Sequence, residues 1–434
     1  MLIVQGRYVL TEDGLMENHC VVVEDGIIEK VLPTDQVHPH SGDEVLKIEN
    51  GIITPGFINA HTHMYGTVAH GIHTEKVIKD FTDFLEVFWW PMVEDQIDHE
   101  LIRATTAWAC IESIDSGVTT LVDTLEAPNS LPGCLAAEAE VLESYGVRGY
   151  LSFEASQRKD AETAEAGLAE NITFARSRKA DDLVQGFLSI HTLFTCDQDY
   201  VKKARAMARE AGCLFHMHLS ESDYEPAWSE DRYGKRPAEV YKELGALDHD
   251  VLASQVVQVS EAEKKILAGK DVAMVHMPLS NCEVGGGVAP FPDFLKMGAR
   301  VALGTDGYIN NFFEVMRGAF LIHKAYRRDP QVMKAQEVFE MATWRGADAI
   351  GRKDLGRIAP GARADLITIR LDTPTPITVH NLYEQLVLYR NPHNVRDVVI
   401  NGKILKRDGI LTKADVQAVK EKLRTVTGKL WDKQ

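Results

Sequence analysis

Residues 53–63 read ITPGFINAHTH: an apolar run, a Pro-Gly break, and two histidines one residue apart. In an extended strand residues i and i+2 share a face, so His61 and His63 present both imidazoles to one side at the strand's C-terminal end. An isolated His-x-His pair also occurs by chance, in cores and on surfaces. This pair has company. Residues 215–222 read FHMHLSES, with His216, His218 and Glu221, and residues 301–307 read VALGTDG, which sets Asp306 after another β-type run. Borderline cations such as zinc take imidazole and carboxylate together, and a catalytic site keeps one position open for water. Three histidines and one aspartate at strand ends supply that set.

Outward from this stretch, residues 55–350 alternate β-type runs with amphipathic helices. Strands are expected at 117–122, 147–153, 183–190, 214–218, 251–257, 272–275 and 301–303, with helices between them such as 132–144, 161–178, 199–210, 261–267 and 312–326. Alternation repeated about eight times predicts an α/β fold, a parallel (β/α)8 TIM barrel with its active site at the C-terminal strand ends. The alternative, an open doubly wound sheet, would scatter the candidate ligands. Residues 1–54 read as short strands, with an Asp25-Gly26 hairpin signal, and β-type alternation returns in GRIAPGARADLITIR (356–370) and VRDVVINGKILKRDG (395–409). The two β segments, 1–54 and 351–412, are expected to form one small composite β-sandwich around the inserted barrel. Residues 413–434 close the chain as an amphipathic helix.

The chain has 47 Lys+Arg against 64 Asp+Glu, a formal charge of −17. That balance argues against nucleic acid or an anionic membrane as a partner, since either needs a basic face. The six cysteines show no Cys-x-x-Cys spacing, so reduced thiols are expected. The N-terminus lacks a basic n-region and no apolar run reaches membrane-spanning length, which points to a cytoplasmic protein.

With these residues in view, the chain resembles the amidohydrolase superfamily, and within it the cytosine, guanine and S-adenosylhomocysteine deaminases and the triazine hydrolases. The matching motifs are PGFINAHTH, SIHTLFTC with His191, HMHLSE, HMPLSN with His276, Ser280 and Asn281, and LGTDG followed by Asn310-Asn311. The resemblance implies one divalent metal held by His61, His63, His218 and Asp306, with zinc expected and iron(II), manganese or nickel as alternatives. It implies that Asp306 takes a proton from water and that Glu221 protonates a ring nitrogen and the leaving group. His216 is expected as a packed neighbour. Substrate contacts are expected from His191, His276, Glu94 and Asn310, with His70, His73, Trp89 and Trp90 in the segment that lines the pocket. The implied reactants are a small heterocycle and water, and a homodimer is compatible with the family.

One position departs from that pattern. Gln255 stands where the family carries a histidine at the end of the sixth strand, and Gln258 replaces a second common histidine. His249 lies too early to substitute without a register shift. A glutamine amide donates a hydrogen bond but does not titrate near neutrality, so at Gln255 it supports electrostatic stabilisation and no proton shuttling. Three functions fit: a deaminase of an N-heterocycle, a hydrolase of another C–N, C–Cl or C–S bond in a ring, or a metal-binding pseudoenzyme or ligand-binding protein. The intact ligand and acid set ranks the deaminase first.

Overall fold

The computed structural model describes residues 1–432, so the last two residues of the expected helix at 413–434 lie outside it. Eight strands form the barrel: β1 (Phe57–Thr62), β2 (Val118–Leu125), β3 (Arg148–Ala155), β4 (Leu188–Ile190), β5 (Phe215–Leu219), β6 (Val251–Gln255), β7 (Ala273–His276) and β8 (Val301–Leu303). Each pairs in parallel with the next. Their residues are buried on both faces, so none shows the in-out alternation of a solvent-facing strand. Ile58, Ala60, Val122, Leu252, Ala273, Val275 and Ala302 fill the interior, while Phe57, Leu121, Met274 and Val301 face the helices.

Closure between β8 and β1 is made at the mouth. Thr62 bridges to Asp306, and the Thr305 N–H donates to the His61 carbonyl at 3.0 Å. The Asn59 amide donates to Thr305 Oγ1 at 2.7 Å and its carbonyl accepts the Thr305 N–H at 3.0 Å. Gly304 permits this approach, because a Cβ there would stand 2.7 Å from the His61 carbonyl oxygen. Lower down, the Ile58 N–H donates to the Ala342 carbonyl at 2.8 Å, and Ala347 packs into the interior. The sheet is therefore a barrel, and the open-sheet alternative falls.

One expected strand is broken. Residues 183–190 form two pieces, Val184–Gly186 and Leu188–Ile190, separated by Phe187. Gly186 lies so close to Ala175 that a Cβ would meet its Cα at 2.7 Å, and Phe187 turns its ring inward, 6.1 Å from that of His216. The first piece pairs low on β3 and the second pairs at Glu154 and Ala155.

The chain ends form one continuous eight-stranded sheet. It runs, in spatial order, Ile410–Leu411, Lys403–Arg407, Val395–Ile400, Leu366–Arg370, Glu44–Pro55, Leu2–Thr11, Gly14–Glu24 and Ile27–Pro33. Only Leu2–Thr11 and Glu44–Pro55 pair in parallel. The sheet curls until its distant turns meet, with Gly26 against Asn401 and the Gly26 carbonyl accepting the Ala364 N–H, so that both halves enclose one apolar core. A buried bidentate pair, Arg148 to Asp365 at 2.7 and 3.1 Å, ties it to the base of β3. The closing helix, Val416–Trp431, packs on His99–Ser116, and the Trp431 indole donates to the Val68 carbonyl at 2.8 Å, just after His63. Among the described residues no helix is long and apolar enough to cross a membrane.

Candidate metal centre and pocket

Ile58 and Ala60 pack inside the barrel, so strict alternation would turn His61 outward. Between Asn59 and Thr62 the register against β2 shifts, and this bulge returns His61 to the axis. Ring centroids then lie 4.8 Å apart for His61 and His63, 4.9 Å for His61 and His218, and 5.4 Å for His63 and His218. Each offers a nitrogen within 4.8 Å of the others. His63 Nδ1 lies 2.7 Å from the Thr124 carbonyl, an acceptor, so the proton sits on Nδ1 and Nε2 keeps its lone pair. That Nε2 is 3.6 Å from Asp306 Oδ1.

Both His61 nitrogens are buried without a hydrogen-bond partner, as is His218 Nδ1. Leaving a buried polar atom unsatisfied costs about 1–3 kcal/mol. A divalent cation shared by one nitrogen each of His61, His63 and His218 and by the Asp306 carboxylate removes part of that cost, and the donor set suits it. His216 lies behind this group. Its ring stacks on His61 at 5.0 Å and its Nδ1 shares a 2.7 Å hydrogen bond with Ser189 Oγ.

β5, β6 and β8 leave the barrel through non-glycine residues with left-handed backbones: Ser220 at φ 51°, Gln255 at 73° and Asp306 at 62°. Such strain concentrates at functional sites. Val251 and Ala253 face the helices and Leu252 the interior, so Gln255 would continue outward. Its left-handed backbone swings it to the mouth instead, where Nε2 donates to Asp306 Oδ2 at 2.6 Å. Ser280 Oγ donates to the same oxygen at 2.9 Å, and the Gly307 N–H to Oδ1 at 2.7 Å. Gln255 is thus a clamp on Asp306.

Glu221 is half-buried on the cavity wall; burial, then the charges of Asp306 and Glu225, hold its carboxyl well above the usual range. Glu225 braces the turn beside it, accepting from the N–H groups of Leu193 at 3.0 Å and Ser220 at 2.5 Å. His191 also lines the cavity, with Nδ1 2.9 Å from Thr195 Oγ1; burial pushes its pKa down to about 4, leaving the ring neutral at pH 7. Glu94 accepts from the Tyr65 hydroxyl at 2.9 Å and from Arg158 Nη2 at 3.1 Å. Trp89 lines the cavity, stacked on Phe84 with centroids 5.5 Å apart, while Trp90 lies beneath Arg158.

Two expected substrate contacts are corrected by the geometry. On β7 Ala273 and Val275 point inward, so His276 points outward, where it stacks on Phe291 at 4.4 Å and its Nε2 lies 2.8 Å from His323 Nε2. Asn310 turns to helix His99–Ser116 and donates to Glu112 Oε2 at 2.7 Å. Neither lines the cavity. His70 contacts the Gly307 carbonyl at 3.0 Å, His73 is exposed, and Gln258 donates to the Gly286 carbonyl at 2.7 Å.

The sequence reading missed Glu126 and Glu154. Glu154 ends β3 and Glu126 follows β2, both fully buried. Arg158 bonds to Glu126, Glu94 and Asp95. A signal was available, because each glutamate closes an apolar barrel strand at the end where active sites form.

The amidohydrolase family model matches residues 52–405. The chain is 30% identical to 5'-deoxyadenosine deaminase from Methanosarcina acetivorans, over 99% of this chain and 98% of that one. It is 32% identical to 5-methylthioadenosine/S-adenosylhomocysteine deaminase from Haloarcula marismortui, over 97% and 96%. A zinc-bound adenosine deaminase structure from Xanthomonas campestris superposes with a TM-score of 0.90 at 25% identity, covering 99% and 98%. Atrazine chlorohydrolase from Arthrobacter aurescens shares the fold at a TM-score of 0.88 and 21% identity, covering 98% and 100%. A family match over most of the chain, joined by relatives similar from end to end, makes this protein a member of the amidohydrolase family, a hydrolase of carbon–nitrogen bonds.

Proposed function

We propose that the protein is a zinc-dependent deaminase that replaces the exocyclic amine of an adenosine-type nucleoside with oxygen and releases ammonia. The observation that carries this reading is the convergence of a histidine triad, the clamped carboxylate of Asp306 and the acid Glu221 on one aromatic-walled cavity. The full-length similarity to deaminases of adenosine derivatives favours the purine over other rings.

His61, His63, His218 and Asp306 would hold the ion, which when bound supplies Lewis acidity and brings the pKa of water toward neutrality. Gln255, Ser280 and the Gly307 N–H fix the Asp306 carboxylate beside the triad. From there Asp306 takes the proton of the water that adds to the amine-bearing ring carbon. Glu221, kept protonated, gives its proton to the adjacent ring nitrogen. The proton held at Asp306 passes to the amine, the carbon–nitrogen bond breaks as the new ring hydroxyl returns its proton to the Glu221 carboxylate, and ammonia departs from the carbonyl product. Trp89 and Phe84, with Tyr65 tilted beside them, form the aromatic wall against which a purine would lie.

The test is ammonia release from 5'-deoxyadenosine, adenosine and 5'-methylthioadenosine by protein stripped with chelator and reloaded with zinc, iron(II) or manganese. Turnover restored best by zinc supports the reading. Loss of chloride or thiol from triazines without ammonia from any nucleoside would overturn it.

A further inference from the structure

The cavity over the histidine triad is too tight for the proposed substrate. Its void, taken out to open solvent, is about 440 Å³, yet only about 40 Å³ of it is wide enough to hold a water molecule. That is room for a few waters at about 10–15 Å³ each, whereas pockets that enclose a small molecule run to about 300–1,000 Å³. A nucleoside therefore reaches the triad only after a wall has moved.

Most of the wall is tied down. Tyr65 and Arg158 hold Glu94 at 2.9 and 3.1 Å, Glu225 braces the turn that carries Glu221, and the Gly286 carbonyl, two residues past Val284, accepts from Gln258 at 2.7 Å. His70 Nε2 lies 3.0 Å from the Gly307 carbonyl, so the segment after β1 is anchored as far as residue 70. There the ties stop. Among the described residues, every hydrogen bond from residues 71–83 ends within 69–90, as in Ile72 to Ala69, Lys76 to Thr74 and Val87, and Lys79 to Asp83. The segment also buries little, with Val77 72% exposed and Ile78 37%. Few buried apolar contacts and solvated backbone mark a region that opens at low cost. It is nonetheless part of the wall, because Phe81 lines the cavity and stacks on Phe84 with centroids 6.2 Å apart. Both of its ends are irregular: Gly71 has φ 82°, and Phe84–Trp89 is a turn of π-helix, a feature that recurs at functional sites.

We infer that residues 72–83 are a lid, closed in this structure, which swings about Gly71 and the π-helical turn to admit substrate and release product, with Phe81 as its plug. It takes from the deaminase reading only the size of the ligand. The closed position uses the left-handed backbone of Gly71, which a side chain disfavours by roughly five- to thirtyfold. A Cβ there would meet no neighbour within 4 Å, so Gly71→Ala biases the lid open without filling the cavity.

Two probes test this on the zinc-loaded protein. Stopped-flow fluorescence with purine riboside, a nucleoside without an amine to lose, gives association and dissociation rates. Zinc capture by 1,10-phenanthroline, a planar chelator of comparable size, reports access to the same site without a nucleoside. Gly71→Ala should raise association and dissociation together by about five- to thirtyfold, keep Kd within about threefold, and speed zinc capture by the same factor where its rate is proportional to chelator. Phe81→Ala, which removes the plug and leaves the hinge alone, should also speed entry of both probes. Unchanged entry rates in both variants overturn the lid, as does weaker binding without faster entry. Faster zinc capture with no binding of purine riboside keeps the lid and sinks the nucleoside reading.

Discussion

The two halves of the barrel mouth are built from the same kind of material and solve opposite problems. On the β1, β5 and β8 side, His61, His63 and His218 bring buried basic nitrogens together, several without a partner, so this half is completed by a cation. On the β2 and β3 side, Glu94, Glu126 and Glu154 are buried around one Arg158, so this half brings its own cation and still carries surplus acid. The first half is unfinished without an ion, and the second is largely finished without a ligand. On the function proposed above, reactivity would belong to the half with unsatisfied bases, while the acidic half forms a wall held by its own ion network.

That division is broken most severely by Asp306→Asn, which weakens the ligand set and removes the base together. Its kcat should fall by roughly 10⁴-fold, the upper end for one acid-base residue, with zinc held more weakly and the fold retained. Elemental analysis, circular dichroism and ammonia release on one preparation check all three. Full activity in this variant would show that the base lies elsewhere. Glu221→Gln should cost about 10³-fold and change the pH profile. Burial and the charges of Asp306 and Glu225 keep Glu221 protonated into the range where carboxyls are usually ionised, so the parent's kcat/KM should decline as pH rises through that raised pKa. In the variant this decline should vanish. If it persists, another group supplies the proton.

The unequal legibility of the halves follows from how each is assembled. The metal half comes from short local patterns, His-x-His on one strand, His-Met-His on another and Thr-Asp-Gly after a third, and the resemblance built on them led to the correct family and barrel. The acidic half comes from single residues on three segments, with no local period to announce them. His276 was misplaced because a histidine near a strand end was read as facing the mouth, whereas alternation from Ala273 and Val275 turns it to the helices. That Gln255 would reach the mouth by a left-handed turn and clamp Asp306 escaped for a different reason. Nothing in SQVVQ signals that a glutamine will adopt a left-handed backbone, because the tertiary fit around Asp306 imposes it.

The acidic half is tested through stability. Arg158→Met leaves buried Glu94 and Glu126 without their counter-charge and should lower unfolding stability by about 3–5 kcal/mol at neutral pH. Burial opposes ionisation of Glu126, but Arg158, together with His191 and the hydrogen bond to Glu94, outweighs it and draws the carboxyl below its usual range. A depressed carboxyl stabilises above its unfolded pKa and loses that contribution as pH falls through the folded value. The gap between parent and variant should therefore shrink in acid, a trend that thermal melts across pH 3–7 (about the carboxyl range) would reveal. A constant gap would mean that Arg158 acts by packing over Trp90 rather than by charge.

The smallest effect is expected at the seam between the halves' working parts, where Gln255 holds Asp306 without itself reacting. Gln255→Leu removes one of the two donors on Asp306 Oδ2 and leaves Ser280 in place. Residues that orient a metal ligand in this way are worth roughly 10–100-fold, so kcat should fall within that window while KM for the nucleoside changes little. Gln255→His puts back a donor that can also titrate. If glutamine is only a clamp, the histidine variant recovers most of the lost rate and introduces a new limb near its own pKa in the pH profile. A histidine variant as slow as the leucine one would assign the left-handed turn and the amide together to this position, since the φ of 73° constrains any side chain placed there.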